Sequence, residues 1–425
     1  MLNPSMESRA SRALVAATMA FAACFSVWTL YAVMGLKIRE MLSLSTTAYG
    51  FLMAAPMLTG SLLRFPAGFL VERYSARRLL IWQMAFVTPP LFLLPYIETY
   101  TGFLTVGLLL GVAGVSFTPG IHYVTRWYDR QRQGFAMGVF GAGNAGAAVT
   151  LVVTPLTERL LGWEWIGPVY GGGMLAVILI FVIIAPEIPE ALQDRQVQTW
   201  REQLRPLREL KVWRFSLYYY FVFGSFLALL MWLPQYYVSA YQLDMQTAML
   251  LTLLFVSLSS MVRALGGWFA DRYGGRAVNW SVFWICLVCL FFLSYPPTDM
   301  IIHGVDRDVH LSLNINVWVF TLLIVVIGLA QGFGRASVYK IIHDYYPAHM
   351  GSVGGTVAAL GATGGFTLPV MFGVVVDLLG IHSAVFMLLY GVLAVCMGVM
   401  YLALQNDAHQ SRVEHAIAHN FLNDD

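Results

Sequence analysis

Two arginines lie within apolar stretches of the chain, at matching positions of two similar segments. The segments are LLRFPAGFLVERYSARR, which contains Arg64, and MVRALGGWFADRYGGRA, which contains Arg263. A guanidinium has a permanent positive charge and five N–H donors in a planar fork, so it suits an oxyanion. A charged side chain at the centre of a membrane helix costs about 2.5–3.5 kcal/mol on insertion scales. Two such charges at equivalent places predict a duplicated fold with a polar interior and a bound anion.

The two segments share further residues at the same spacing after the arginine. A glycine follows by four, an acid by eight and a second arginine by nine; these residues are Gly68, Glu72 and Arg73 in the first segment and Gly267, Asp271 and Arg272 in the second. We interpret the six as a loop motif that gates the pathway, with the acids pairing with basic groups at helix ends.

The composition is that of a polytopic membrane protein. Of the 425 residues, 58% are hydrophobic and 11% are charged, whereas about 25% are charged in an average soluble domain. Apolar stretches of about 20 residues, the length that spans a bilayer as a helix, recur from end to end. The net charge of +2 gives no indication of nucleic acid. All four cysteines fall in apolar stretches, which predicts buried free thiols, and neither a metal site nor a cofactor is expected.

Twelve spans in two six-helix halves are predicted, in an all-α fold. They are placed near 13–35, 47–70, 79–97, 102–125, 134–157, 165–186, 213–238, 246–269, 277–296, 313–340, 352–376 and 382–404. The domains expected are an N-terminal half (1–186), a cytoplasmic linker (187–212), a C-terminal half (213–404) and a cytoplasmic tail (405–425). The termini and the even-numbered loops hold 17 of the 25 basic residues and the odd-numbered loops four. The positive-inside rule therefore places both termini in the cytoplasm.

Apart from Arg214 at the very start of span seven, which is counted above with the even-numbered loops, four basic residues lie within the predicted spans, namely Arg64, Arg263, Arg335 and Lys340, and no acid lies deep in one. Fixed positive charge without a carboxylate partner is unfavourable in a membrane interior unless something supplies negative charge. A transported anion supplies it while bound. This inventory is the main indication of an anion carrier.

The glycine-rich segments support the duplication. GFAMGVFGAGNAG from Gly134 and GGTVAALGATGG from Gly354 are offset by 354 − 134 = 220, against 263 − 64 = 199 for the arginines; the difference fits a longer ninth loop around 296–313. Halves related by an axis along the membrane normal bind substrate between them near the midplane, where Arg64 and Arg263 would approach each other. The glycines chiefly allow close helix packing. Bare backbone at Gly143 and Gly364 would also let a small ligand reach the helix surface.

The chain resembles a known family at these segments. LLRFPAGFLVERYSARR and GGWFADRYGGRA resemble the loop signatures of the major facilitator superfamily. FGAGNAGAAVT and GGTVAALGATGGFTLP resemble the paired nitrate signatures of its nitrate/nitrite porter family, and the similarity includes VFGSF and VYK. The resemblance implies a major facilitator fold in the cell inner membrane, transport of nitrate and nitrite, and no enzymatic activity.

The family also implies a substrate site. Its arginines on spans two and eight match Arg64 and Arg263, and its other substrate-binding positions match Asn144, Phe117, Tyr219 and Phe223. Nitrate is planar with three acceptor oxygens, so a guanidinium can meet it edge-on through two parallel hydrogen bonds. Aromatic walls would sandwich a flat ion and exclude tetrahedral sulfate or phosphate.

Three further residues have two interpretations each. Arg335 and Lys340 are expected toward the cytoplasmic mouth, where they either extend to the surface and pair with Asp344 or form an anion funnel. Their repeat counterparts, Thr118 and Tyr123, are uncharged. His122 is either a packed neutral histidine or a residue that couples protons to transport, because it titrates near neutrality.

Two function classes remain. The first is a secondary carrier in the lipid bilayer, expected to be a monomer, that couples nitrate to protons or exchanges nitrate for nitrite. Lack of a buried carboxylate favours exchange, while likeness to the shorter porters of the family favours symport, which is the preferred prediction. The second class is a membrane receptor or an embedded enzyme. It is disfavoured because the sequence has no signalling domain and no nucleophile–base or metal-ligand cluster in the spans.

Overall fold

The computed structural model describes residues 4–128, 130–189, 200–303, 308–346 and 350–421, and most of these residues are helical. The described part contains 11 helices long and apolar enough to cross a membrane, or 12 when Met245–Met261 and Leu265–Tyr273 count as one bent span. The predicted all-α fold with twelve spans is therefore confirmed. The other spans are Met6–Leu42, Thr46–Val71, Ala76–Tyr96, Tyr100–Thr125, Ala136–Leu161, Trp163–Ile184, Leu210–Tyr241, Gly275–Leu293, Val317–Tyr345, Ser352–Leu379 and Ala384–Asn406.

Many spans consist of more than one helical segment. The α-helices are Pro4–Trp28, Tyr31–Leu42, Thr46–Leu62, Arg64–Arg73, Ala76–Leu93, Tyr100–Leu110, Phe117–Thr125, Arg130–Gly141, Gly146–Leu161, Ile166–Ile184, Trp200–Leu204, Leu210–Tyr219, Ser225–Tyr241, Met245–Met261, Arg263–Tyr273, Gly275–Leu293, Val317–Tyr345, Met350–Ala362, Gly364–Leu379 and Ala384–Phe421. The 3₁₀ segments are Leu94–Tyr96, Gly111–Ser116, Ala142–Ala145, Trp163–Trp165 and Arg205–Arg208, and Tyr220–Gly224 is a π-helical turn.

Both repeat-related arginines begin a new helical segment after a one-residue break. Leu63 precedes Arg64 with φ −73° and ψ −6°. Val262 precedes Arg263 with φ −72° and ψ −8°. The two halves thus share the local backbone geometry as well as the sequence motif, and the α-helix of spans two and eight is interrupted just before the charged residue.

Spans four, five and seven also depart from regular α-helix. Span four is 3₁₀ at Gly111–Ser116, and span five is 3₁₀ at Ala142–Ala145. Span seven contains the π turn Tyr220–Gly224. Such interruptions inside a helix occur frequently at functional sites. All three lie in the spans that carry predicted site residues.

The predicted linker is only partly described, since residues 190–199 lie outside the described ranges. Its remaining part forms the helix Trp200–Leu204 and the 3₁₀ turn Arg205–Arg208, and span seven begins at Leu210. With six spans in each half, the linker and both ends of the membrane domain lie at one end of the bundle, called the linker end below. The opposite end carries loop nine, which forms an antiparallel hairpin of strands Thr298–His303 and Asp308–Leu313, with Thr298 opposite Leu313.

The two halves are in close contact at the end opposite the linker. The Asp377 carboxylate accepts hydrogen bonds from the Thr47 backbone N–H at 2.7 Å and from the Thr47 hydroxyl at 2.6 Å. A methyl group on Gly50 would lie 2.5 Å from the Pro369 carbonyl oxygen. Spans two and eleven therefore meet backbone to backbone at this end, so the passage between the halves is closed there.

Candidate functional site: a guanidinium-lined chamber between the halves

Arg64 is buried between the two halves and bonded to backbone carbonyls. Its side chain is 5% exposed. Nε and Nη2 donate to the Gly114 carbonyl of span four, at 3.2 and 3.1 Å, and Nη1 donates to the Ala358 carbonyl of span eleven at 3.3 Å. Neutral carbonyl oxygens satisfy its donors without cancelling its charge. The bond to Ala358 crosses from the N-terminal to the C-terminal half.

Three aromatic rings surround the Arg64 guanidinium. Its central carbon lies 5.1 Å from the Trp28 ring centroid, 5.6 Å from that of Phe117 and 5.9 Å from that of Phe223. The last two were predicted to line the site, and they contact the arginine from opposite halves. Aromatic faces within about 6 Å stabilise a cation electrostatically, so the rings offset part of the cost of burying this charge.

Trp28 was missed by the sequence analysis. It is fully buried, and its indole N–H donates to the Pro56 carbonyl at 2.8 Å. A methyl group on Gly114 would overlap its ring. Glycine at 114 therefore lets the tryptophan and the guanidinium occupy adjacent space. No signal in the sequence distinguishes this aromatic residue of span one from the others around it.

Tyr219 belongs to the same cluster, and we call the cluster formed by Arg64, Trp28, Phe117, Tyr219 and Phe223 the chamber. Its ring stacks on Phe223, with centroids 5.2 Å apart, and meets Tyr339 edge-on at 5.3 Å. A methyl group on Gly361 would lie 2.5 Å from the Tyr219 ring. The π turn that begins at Tyr220 follows directly. Span seven thus presents Tyr219 and Phe223 as one aromatic wall, supported from behind by span eleven.

Arg263 is half-buried and lies against the glycine-rich segment of the opposite half. A methyl group on Gly141 would be 3.2 Å from its Nη1 and 3.3 Å from its guanidinium carbon. Arg64 reaches Ala358 in the corresponding segment of the C-terminal half. Each arginine therefore crosses the interface to contact the glycine-rich segment of the other half, as the pseudo-twofold repeat requires.

Three further residues that were predicted to contact the substrate, Asn144, Gly143 and Gly364, are closely packed. Asn144 is 2% exposed, in the 3₁₀ segment of span five. A methyl group on Gly143 would lie 2.5 Å from the Phe21 ring, and one on Gly364 would lie 2.8 Å from the Gly224 α-carbon. Both glycines therefore permit close helix packing. A direct contact of Gly143 or Gly364 with substrate stays a prediction.

One interpretation of Arg335, that it extends to the membrane surface and pairs with Asp344, is wrong, and its role in an anion funnel stays a prediction. The side chain is 0% exposed, and Nη2 donates to the Ser259 carbonyl and hydroxyl, both at 2.7 Å. Its central carbon lies 4.2 Å from the Phe226 ring centroid. The Asp344 carboxylate pairs with Lys340 instead. Position along the sequence was a poor guide because span ten is one continuous 29-residue helix whose inner face reaches the core.

Lys340, by contrast, is at the linker end and paired as one interpretation predicted. Its Nζ lies 3.2 Å from Asp344 and 3.4 Å from Asp271. The pairing of Asp271 with a basic group was expected of the loop motif. An anion-funnel role for Lys340 stays a prediction.

The surroundings of the other members of the loop motif are as follows. The guanidinium carbon of Arg73 lies 4.1 Å from the Phe69 ring centroid, and that of Arg272 lies 5.5 Å from that of Trp268. Gly68 is buried, and a methyl group on Gly267 would meet nothing within 4 Å. The Glu72 side chain lies outside the described residues.

His122 lies half-buried in the Phe117–Thr125 segment of span four, one helical turn from Arg126. No ion pair links a carboxylate to it among the described residues. Its proposed role in proton coupling stays a prediction. All four cysteines are free and buried, as the sequence predicted.

A family model and individual relatives both identify the family of this chain. The sequence model of the Major Facilitator Superfamily matches residues 16–305. A Thermus thermophilus protein named "Probable nitrate/nitrite antiporter NarK1" is 35% identical over 408 residues, which is 92% of this chain and 91% of that protein. The "Nitrite extrusion protein" of Bacillus subtilis is 26% identical over 373 residues, 88% of this chain and 89% of that protein.

Solved structures share the fold at low sequence identity. A bacterial homologue of the human lysosomal transporter Spinster, in an inward-facing and occupied conformation, has a TM-score of 0.70 and 13% identity, covering 93% of this chain and 97% of that one. The nucleoside transporter NupG has a TM-score of 0.67 and 15% identity, covering 92% and 99%. These similarities show the fold alone.

Proposed function

We propose, from the premise that this chain belongs to the nitrate/nitrite porter family of the major facilitator superfamily, that it carries nitrate and nitrite across the inner membrane by alternating access. The observation that carries the proposal is the buried Arg64 guanidinium, bonded to carbonyls of both halves, with no carboxylate partner among the described residues. A monovalent anion between the halves would supply the missing negative charge.

The chamber suits a small flat anion. The Arg64 guanidinium supplies donors, while Phe117 and Phe223 face it from opposite halves and Tyr219 extends the wall formed by Phe223. Arg263 supplies a second positive charge at the interface. When an anion arrives, Arg64 exchanges its bond to Ala358 for bonds to the anion, so binding releases a contact between the halves. This exchange would couple occupancy to movement of the halves.

Replacement of either arginine by lysine tests the proposal. The R64K and R263K variants keep the charge but lose the planar donor fork, so nitrate uptake into proteoliposomes should fall severely while the proteins still insert and purify. R9K, at an exposed arginine near the N-terminus, is the matched control and should transport like wild type. Normal uptake by both chamber variants would refute the assignment, and absence of isotopic nitrate flux in wild type would favour a receptor.

For the energy source we propose proton symport, with His122 as the titrating group within a span. Exchange of nitrate for nitrite is the second candidate. None of the ion pairs among described residues brings an acid to Arg64, Arg263 or Arg335, so these pairs provide no carboxylate that could carry a proton with the anion. An acidic exterior should accelerate nitrate entry into vesicles that contain no nitrite. Equal rates with and without the gradient would favour exchange.

The positive-inside distribution supports cytoplasmic termini. The linker end would then face the cytoplasm, and the closed end the periplasm. We propose that the protein acts as a monomer, because each chain contains both arginines and both glycine-rich segments.

A further inference from the structure

Arg335 is the most deeply buried charge among the described residues, and its donors are only partly used. A guanidinium has five N–H donors. Nη2 donates to the carbonyl and hydroxyl of Ser259, but Nε and Nη1 have no hydrogen-bond partner within the described protein. Arg64 differs, because all three of its nitrogens donate to carbonyls. Of the two fully buried arginines, Arg335 therefore has donors to spare for a ligand.

The charge of Arg335 is also uncompensated. No ion pair of the described residues includes it. The Phe226 face at 4.2 Å offsets part of the burial cost. A buried charge normally has an opposite charge beside it. If Arg335 served only to join span ten to Ser259, its other two nitrogens would be expected to have hydrogen-bond partners as well.

Arg335 belongs to a row of unsatisfied polar atoms on span ten. Gln331, Arg335 and Tyr339 are four residues apart, so they lie on one helix face. The Gln331 Oε1 and the Tyr339 hydroxyl, like two of the arginine nitrogens, are buried without a hydrogen-bond partner in the described protein. Packed cores rarely leave such groups unmet, and a bound ion or water is one explanation for each of them. The Tyr339 ring contacts Tyr219, so the row begins at the chamber.

We propose that Arg335 is a third guanidinium that binds the transported anion through Nε and Nη1. It would accept a small monovalent oxyanion from the chamber and so provide a binding step on span ten. The N-terminal half has no counterpart, because Thr118 occupies the equivalent place in the sequence. The two halves would therefore contribute unequally to the site. This inference rests on the proposed function.

The R335Q variant tests the inference, with R159Q as a matched control in which an exposed arginine undergoes the same change. Nitrate affinity of the purified protein is measured by calorimetry, and thermal unfolding is measured without nitrate. R335Q should raise the nitrate Kd about tenfold or more, since it removes charge-assisted hydrogen bonds. Its nitrate-free melting temperature should be unchanged or higher, because a buried unpaired charge is lost. R159Q should alter neither quantity.

Each outcome decides the question. A Kd within twofold of wild type overturns the inference, and so does a raised Kd with a lower melting temperature, which indicates a structural clamp to Ser259. A wild-type protein that binds no nitrate refutes the proposed function itself. If R335Q cannot be purified, a wild-type structure with nitrate decides. An oxyanion within hydrogen-bond distance of Arg335 Nε or Nη1 supports the inference, and nitrate confined to Arg64 and Arg263 overturns it.

Discussion

A single added methyl group on Gly141 should weaken nitrate binding without harming the fold. Its ideal position lies 3.2 Å from Arg263 Nη1 and 3.3 Å from the guanidinium carbon, shorter than ordinary contacts of about 3.5–4.0 Å. Because the tip of a long side chain moves more easily than backbone, the G141A variant should displace the guanidinium by a few tenths of an ångström, about 0.3–0.5 Å.

The size of the effect follows from that displacement. A misplacement of about 1 Å at a reacting or binding group can cost about 100-fold. If the logarithm of the loss scales with distance, about 0.3–0.5 Å corresponds to about 4- to 10-fold in nitrate KM. Stability should move in the opposite direction, since alanine is favoured over glycine by roughly 1 kcal/mol in a helix interior, although the gain is smaller at Gly141 because this residue ends its helix.

Gly138 provides the control for both effects. It lies in the same helix, Arg130–Gly141, and a methyl group on it would meet nothing within 4 Å. G138A should therefore keep the wild-type KM while sharing the gain in helix propensity. Nitrate uptake into proteoliposomes and thermal unfolding in detergent measure the two quantities. If G141A and G138A have the same KM within about twofold, Arg263 does not contact the anion as proposed.

The corresponding glycine of the other half gives a second pair: G361A places a methyl group 2.5 Å from the Tyr219 ring, whereas G355A, in the same helix, meets nothing within 4 Å. G361A should lower nitrate transport by at least about tenfold in the uptake assay, and similar rates for the two variants would contradict the role of Tyr219. Outside the membrane, hydrogen bonds from Thr247 lower the pKa of the Asp244 carboxyl, which caps span eight. A lowered folded-state pKa stabilises the protein above the unfolded value of about 3.9, so D244N should melt at a lower temperature than wild type at pH 7. That difference should fade as the pH falls through the folded-state pKa, and a difference independent of pH in thermal melts would refute a contribution from the ionised carboxylate, because asparagine can still accept the capping hydrogen bond.

The repeat explains why much of the architecture could be predicted from the sequence. A charge inside an apolar stretch is easily recognised. Because Arg64 and Arg263 occupy matching positions of two similar segments, they showed which parts of the two halves correspond. Periodicity cannot, however, say which face of a fully apolar span points inward. That is why one interpretation had Arg335 extend to the membrane surface, whereas its side chain is buried.

Contacts between distant spans were the other part that could not be predicted. Trp28 meets Arg64 only because the glycine at 114 leaves room, and neither residue marks the contact in the sequence. The hairpin in loop nine was likewise expected only as a longer loop, although the turn-forming residues Gly304 and Asp306 lie between the two strands in the sequence.

The break before each arginine has a mechanical consequence. Span eight bends by 44° between its two segments, and Arg263 is the first residue after the break. In the proposed site, Arg263 would therefore bind the anion at the bend itself. Binding there would act directly on the orientation of Arg263–Tyr273, the segment that leads to the linker end, without a relay through other side chains.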